Sequence, residues 1–339
     1  MTESKKTIAC FGEVVLRLGV PHGELPLQSA RFDVHVGGAE ANVAVALASL
    51  GHDVAMIGAV PDGALGDGVV DRLRSHGVDT RRLLRPAGRI GLYYHLPGGP
   101  MRPDDVQYDR TETAFATMAP ADWDWGHLLN GVGWLHVSGV TPALGQRSAD
   151  AVLEAVRRAR AAGIGVSFDG NWRGKLWERW HSDPAAILRP IVDEATLLFG
   201  NHRDASLLLG RDFSGDGADR RREAALALLD AFPRLQRIAS TARRIIEPTR
   251  HELRARIDTR GDQAQSDAIV IAPVIDRIGT GDAFAAGILD ALFNGETLAS
   301  VAQNGLAAAA LAHGMRGDFA PLSRRLLQGA SPAASDVAR

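Results

Sequence analysis

Two short stretches of this chain combine glycines, a carboxylate and an amide in patterns that suit chemistry on an anion. The first is Asp276-Arg277-Ile278-Gly279-Thr280-Gly281-Asp282-Ala283-Phe284-Ala285-Ala286-Gly287. Its glycines fall where an apolar helix begins, so bare backbone N–H groups and the positive end of the helix dipole meet there, as in a phosphate cradle. A carboxylate inside such a cradle would repel the anion if binding were its only task. It makes sense as a base that takes the proton of an attacking hydroxyl. On its own the segment equally fits a glycine-rich turn closed by an aspartate cap. The second stretch is Gly37-Gly38-Ala39-Glu40-Ala41-Asn42-Val43-Ala44, followed by more alanine and leucine. Two glycines ahead of a helix whose first turn carries Glu40 and Asn42 would offer polar groups to a hydroxylated ligand.

Other nucleotide signatures are missing. Gly170-Asn171-Trp172-Arg173-Gly174-Lys175 is one residue short of a P-loop and has no Ser or Thr after the lysine. Gly279-x-Gly281 places Phe284 where a dinucleotide fingerprint needs Gly or Ala, and it lies far from the first strand. No histidine pair has metal-ligand spacing such as HExxH.

The elements that must carry these motifs alternate between short apolar or β-branched runs and Ala/Leu-rich helical patterns. This is the pattern of a mostly parallel sheet covered by helices, an α/β fold. Strands are expected at Thr7–Phe11, Val54–Val60, Trp134–Val137, Ile164–Phe168, Thr196–Phe199 and Arg237–Ser240. Helices are expected at Ala41–Leu50, Gly66–His76, Arg147–Ala161, Asp204–Leu209, Arg222–Ala231, Gly281–Phe293 and Leu298–His313, and an extended run, Ala268–Ile275, should feed the cradle. Two polar, extended stretches, residues 17–36 and 89–115, interrupt the alternation and read as strands of a small accessory sheet over a site. Residues 1–330 are expected to form the domain, and 331–339 a disordered tail.

Composition narrows the function. With 45% hydrophobic and 23% charged residues and a formal net charge of −2, the chain lacks the basic footprint of a nucleic-acid or anionic-membrane binder. A small-molecule partner is expected. The single cysteine, Cys10, sits in the apolar run Thr7–Phe11 and excludes a disulfide within the chain. The opening residues resemble neither a signal peptide nor a membrane span, so a cytoplasmic protein is expected.

Taken together and in this order, the two motifs resemble the paired signatures of the ribokinase-like (pfkB-type) carbohydrate kinases, over residues 7–320. The resemblance implies a three-layer α/β/α sandwich with a small β-sheet lid, Mg-ATP as phosphoryl donor and Asp282 as general base. It implies Gly279, Thr280, Gly281 and the Asp282 backbone as the anion hole. Asn201-His202-Arg203-Asp204 resembles the family's Asn-x-x-Glu, which implies an Asn201 contact on the phosphate side. Asp204 would reach magnesium only through water, with no direct protein ligand to the metal.

Within the family, three segments resemble 2-keto-3-deoxygluconate kinases: the Gly-Gly-Ala-Glu-x-Asn form, Val106-Gln107-Tyr108-Asp109-Arg110, and Phe168-Asp169-Gly170-Asn171-Trp172-Arg173-Gly174-Lys175-Leu176-Trp177. That likeness implies Gly37, Gly38, Asn42, Tyr93, Tyr108, Arg110 and Arg173 as the acceptor site. Arginines match the planar carboxylate of a sugar acid, which a neutral sugar lacks. Thr241, Arg243 and Asn304 are implied on the nucleotide side, although Ser240-Thr241-Ala242-Arg243-Arg244 departs from the glycine-rich turn of many relatives. A homo-oligomer is expected by the same resemblance. The alternatives are a fructokinase or another ketose or keto-acid kinase, a non-catalytic sugar-acid sensor on a kinase fold, and a nicotinamide dehydrogenase. Trp123, Trp125, Trp177 and Trp180 are expected to pack in the core.

Overall fold

The computed structural model describes residues 6–330 except 22, 29 and 99–101, so the expected tail lies outside the described residues. In chain order the strands are β1 (Thr7–Phe11), β2 (Val15–Gly19), β3 (Asp33–Gly37), β4 (Val54–Ala59), β5 (Leu83–Leu84), β6 (Gly91–Leu96) and β7 (Asp105–Asp109). They continue as β8 (Val132–Ser138), β9 (Gly165–Asp169), β10 (Leu197–Phe199), β11 (Arg237–Glu247), β12 (Arg250–Asp258), β13 (Gln263–Gln265) and β14 (Ile269–Ile271). The large sheet runs β13-β12-β11-β10-β9-β8-β1-β4-β5, with β14 paired to β12. From β11 to β5 every pairing is parallel, and β12 begins an antiparallel margin.

Helices α1 (Ala39–Ser49) and α2 (Ala64–Ser75) pack on one face of this sheet. Helices α3 (Trp125–Leu128), α4 (Gln146–Ala161), α5 (Gly174–Trp177), α6 (Pro184–Asp193), α7 (His202–Leu209) and α8 (Gly217–Ala231) cover the other. The chain then returns to the first face with α9 (Thr280–Phe293), α10 (Leu298–His313) and α11 (Arg324–Gly329). Alternate residues of β1 divide between the two cores: Ile8 and Cys10 join one, Ala9 and Phe11 the other. That alternation follows from the period-two geometry of a strand buried on both faces. Helix α9 is apolar nearly all round because it lies beneath α1 and α10 as well as over the sheet. Trp123, Trp125 and Trp177 are core residues, with Trp180 packed against them.

The interrupting stretches form a separate four-stranded sheet, β3-β2-β6-β7. Elsewhere the structure moves several boundaries. Strand β11 runs on to Glu247, because its outer half is an exposed, arginine-rich ribbon paired with β12 and carries no apolar run to mark it. The expected extended run Ala268–Ile275 is a strand only at Ile269–Ile271; past it, Ile275 N–H donates to the His313 carbonyl at 2.8 Å. Helix α6 escapes a periodicity reading because of its prolines. Asp183 caps it by accepting from Ala186 N–H, Pro184 sits in the first turn where no N–H is needed, and Pro190 lies inside. No helix among the described residues is long and apolar enough to cross a membrane.

Candidate active site

Loops following β1, β8, β9 and β10 open at the carboxyl ends of the parallel strands, where open α/β sheets bind ligands. The N-terminus of α9 faces the same side. Gly279 is its N-cap in the left-handed region (φ 76°), and a Cβ there would stand 2.3 Å from the Asp318 carbonyl oxygen. Only glycine satisfies both conditions. No side chain caps α9, so the N–H groups of its first turn are left to a ligand or solvent. The Thr280 hydroxyl is turned back onto the Arg277 carbonyl at 2.9 Å. A Cβ on Gly281 would meet nothing within 4 Å, so an open space lies directly over the turn.

Asp282 enters this space from the first turn of α9, only 8% exposed. Asn42 Nδ2 donates to its Oδ2 at 2.6 Å, joining the starts of α1 and α9. Burial lifts the carboxyl to about 7; the Asn42 hydrogen bond and the Arg173 charge pull it down, and Glu40 and Asp318 push it up. A group with that affinity takes and gives a proton near neutral pH. Asn42 Oδ1 is buried and has no protein partner. Gly38 precedes α1 at φ 134°, with a Cβ position 2.5 Å from the Glu13 carbonyl, and Gly37 lies against the Asp318 carboxyl. Glu40 points inward: its Oε1 accepts from Ser138 N–H and from the hydroxyls of Ser138 and Thr141, which ties α1 to the end of β8. It therefore offers less to a ligand than its place in the motif suggests.

Arg173 sits just before α5, and its side chain donates from Nη1 to the Trp172 carbonyl at 3.2 Å. No carboxylate among the described residues pairs with it, yet its charge lowers the proton affinities of both Asp282 and Asp169. Its charge therefore acts on the surroundings of Asp282 although the residue itself is exposed. Asp169, at the end of β9, is raised well above the usual carboxylate range, first by burial and then by the charges of Asp282 and Asp204. Asn201 and Asp204 form a reciprocal cap on α7: Arg203 N–H donates to Asn201 Oδ1 at 2.9 Å and Asn201 N–H to Asp204 Oδ2 at 2.7 Å. Burial also raises Asp204.

The remaining residues implied by the resemblance come from the small sheet and the nucleotide side. Tyr93 and Tyr108 are directly opposed on β6 and β7, their rings 6.4 Å apart, and the Tyr93 hydroxyl donates to Asp318 Oδ2. Arg110 is buried, with Nε held by Glu13 Oε2 at 2.6 Å. That ion pair commits part of a guanidinium expected to serve the acceptor. Thr241 and Arg243 lie on the outer half of β11, Arg243 close enough to Arg277 for the two charges to oppose each other. Asn304 in α10 donates to Glu296 at 2.8 Å and stands against Gly287 of α9.

Sequence reasoning assigned no role to Glu13, Arg17, Asp169, Asp276 as a side chain, or Asp318. Asp276 opens the motif and could have been found there. Asp169 lies within the Phe168–Trp177 segment, while Glu13, Arg17 and Asp318 are brought in by strands and loops remote in sequence, with no local spacing to mark them.

Comparison with known proteins identifies the family. The model of the pfkB family of carbohydrate kinases matches residues 5–324. A 2-dehydro-3-deoxygalactonokinase of Haloferax volcanii is 30% identical over 95% of this chain and 96% of its own. A 2-dehydro-3-deoxygluconokinase of Bacillus subtilis is 28% identical over 87% of this chain and 85% of its own. The crystal structure of a 2-dehydro-3-deoxygluconokinase from Thermotoga maritima has a TM-score of 0.90 at 32% identity, covering 98% of this chain and 100% of that one. With a family match that spans residues 5–324, this chain belongs to the pfkB family and is a carbohydrate kinase.

Proposed function

We propose that the chain transfers the γ-phosphoryl group of ATP to the 6-hydroxyl of 2-keto-3-deoxygluconate. The observation that carries this reading is Asp282, a carboxyl lifted to about 7 inside the uncapped start of α9, with the Arg173 charge acting on it unmatched by any described carboxylate. The galactonate epimer is the second reading, favoured by the Haloferax relative.

In this mechanism the acceptor hydroxyl gives its proton to Asp282 as its oxygen forms a bond to the γ-phosphorus and the bond to the β-phosphate oxygen breaks. Asn42 keeps the accepting carboxylate aimed into the cleft. First-turn N–H groups of α9 oppose the negative charge on the transferring group, and the open volume over Gly281 admits it. Arg173 holds the C1 carboxylate, the far end of a substrate roughly 6 Å long. Tyr93, Tyr108 and Arg110 complete the acceptor side beneath the small sheet, which acts as its cover. Among the described residues no three acidic, histidine or cysteine side chains converge as a metal set. Asp204 and Asp169 would hold magnesium through water, and the ion would supply positive charge against the phosphates. A panel of sugar acids and neutral ketoses, read by ADP release, tests the assignment. Turnover of fructose above both keto acids would replace it.

A further inference from the structure

Arg17 lies in β2, in a row that crosses the small sheet through directly opposed residues: His35, Arg17, Tyr93 and Tyr108. Its side chain is only 4% exposed and leaves that sheet to reach two carboxylates. Nη2 donates to Asp276 Oδ2 at 2.7 Å, and Nε stands 3.3 Å from Asp318 Oδ1. Both acids flank the anion turn. Asp276 accepts from the N–H groups of Ile278 and Gly317, and the Asp318 carbonyl fills the place a Gly279 Cβ would need. Without the guanidinium, two buried carboxylates would face each other across the turn. Arg17 thus cancels a repulsion that would part the segments holding Gly279. A second tie runs the same way, since Arg277 donates to Asp104 of the β6–β7 connection at 2.6 Å.

We propose that Arg17 is a positioning residue: by joining Asp276 and Asp318 it couples the small sheet to the Gly279–Asp282 turn, so that settling of the sheet sets the anion-binding amides. This rests on the reading of that turn as the site of phosphoryl transfer. Nη2 is committed to Asp276, while Nε and Nη1 are buried without a hydrogen-bond partner among the described residues.

The test compares Arg17→Met, Arg17→Lys and the double variant Arg17→Met/Asp318→Asn with the wild type, using the best acceptor from the panel. Arg17 makes one charge-assisted hydrogen bond, to Asp276, and such a bond is worth roughly a 10- to 150-fold change. Arg17→Met should lower kcat by that order while the acceptor KM stays within about threefold. Lysine keeps one of the two links, and Asp318→Asn removes the repulsion, so each should recover at least about threefold of the lost kcat. Unchanged kcat in Arg17→Met, a loss confined to acceptor KM, or no recovery in either second variant would overturn the proposal. Should the wild type phosphorylate no acceptor, the functional reading fails instead. The coupling is then read by amide hydrogen exchange over residues 276–284, where faster exchange in Arg17→Met supports it and unchanged exchange overturns it.

Discussion

Replacing Asp282 with asparagine should trade catalysis for stability, and the size of the trade follows from its surroundings. Burial raises the carboxyl from 3.8 to about 7, so between those values the folded state binds the proton more tightly than the unfolded chain. The sign follows: the stability tied to protonated Asp282 is fully present below pH 4 and is lost as pH rises through 7. Integrated over that shift the penalty is on the order of 4 kcal/mol above pH 7, and a minor part of it is already present at pH 5. Asparagine has the same shape, can accept the Asn42 hydrogen bond and carries no charge to desolvate. Its advantage over the wild type should therefore grow by about 2–3 kcal/mol between pH 5 and pH 8. Terms independent of pH cancel in that difference. Denaturant unfolding of both proteins at the two pH values measures it, while kcat should fall roughly 10²- to 10⁴-fold as the base is lost. A variant whose relative stability does not change with pH, or one that keeps wild-type kcat, would refute the account of Asp282 as a desolvated base.

Asn42→Leu removes a donor that favours the charged form of Asp282, so the acid limb of kcat/KM against pH should move above 7, with activity partly recovered at alkaline pH. A limb that stays in place would separate Asn42 from the base. Arg173→Ala should lower kcat/KM for the keto acid roughly 10- to 150-fold while leaving neutral ketoses much less affected; equal losses on both would dissociate Arg173 from the carboxylate. Gly279→Ala puts a methyl group against the Asp318 carbonyl at a positive φ and should reduce both melting temperature and turnover. Gly281→Ala meets open space and should keep the melting temperature while raising the KM for ATP, so a full-strength Gly281→Ala enzyme would argue against an anion at that spot.

Much of this architecture is legible from local pattern alone. Helices α9 and α10 lie within a residue of their sequence-based bounds, because long Ala/Leu-rich runs leave no other option. The parallel strands are visible as short apolar runs buried on both faces. What local pattern cannot show is where a side chain goes when its partner lies far along the chain. Glu40 looks like a ligand group beside Asn42, yet three donors at the end of β8 draw it inward. Arg110 looks free until Glu13 meets it. Asp318 follows α10 in a turn without any repeat or spacing, and only the folded chain sets its carbonyl against Gly279. Asn201 and Asp204 show the reverse case, since their spacing also encodes a helix cap that the structure forms.

Helices α9 and α10 touch backbone to side chain: a Cβ on Gly287 would stand 2.7 Å from the Asn304 carbonyl, and one on Gly305 2.7 Å from Ile288 Cδ1. A rod seated that tightly in a close-packed interior has little freedom to slide or tilt. In mechanical terms it is an anvil, a fixed surface at whose end the proposed phosphate site lies. Work done by ligand binding must then go into the parts that can yield, the small sheet and the loops that carry it. Repacking this helix pair with larger side chains would set the striking surface askew without altering a single group that meets the substrates.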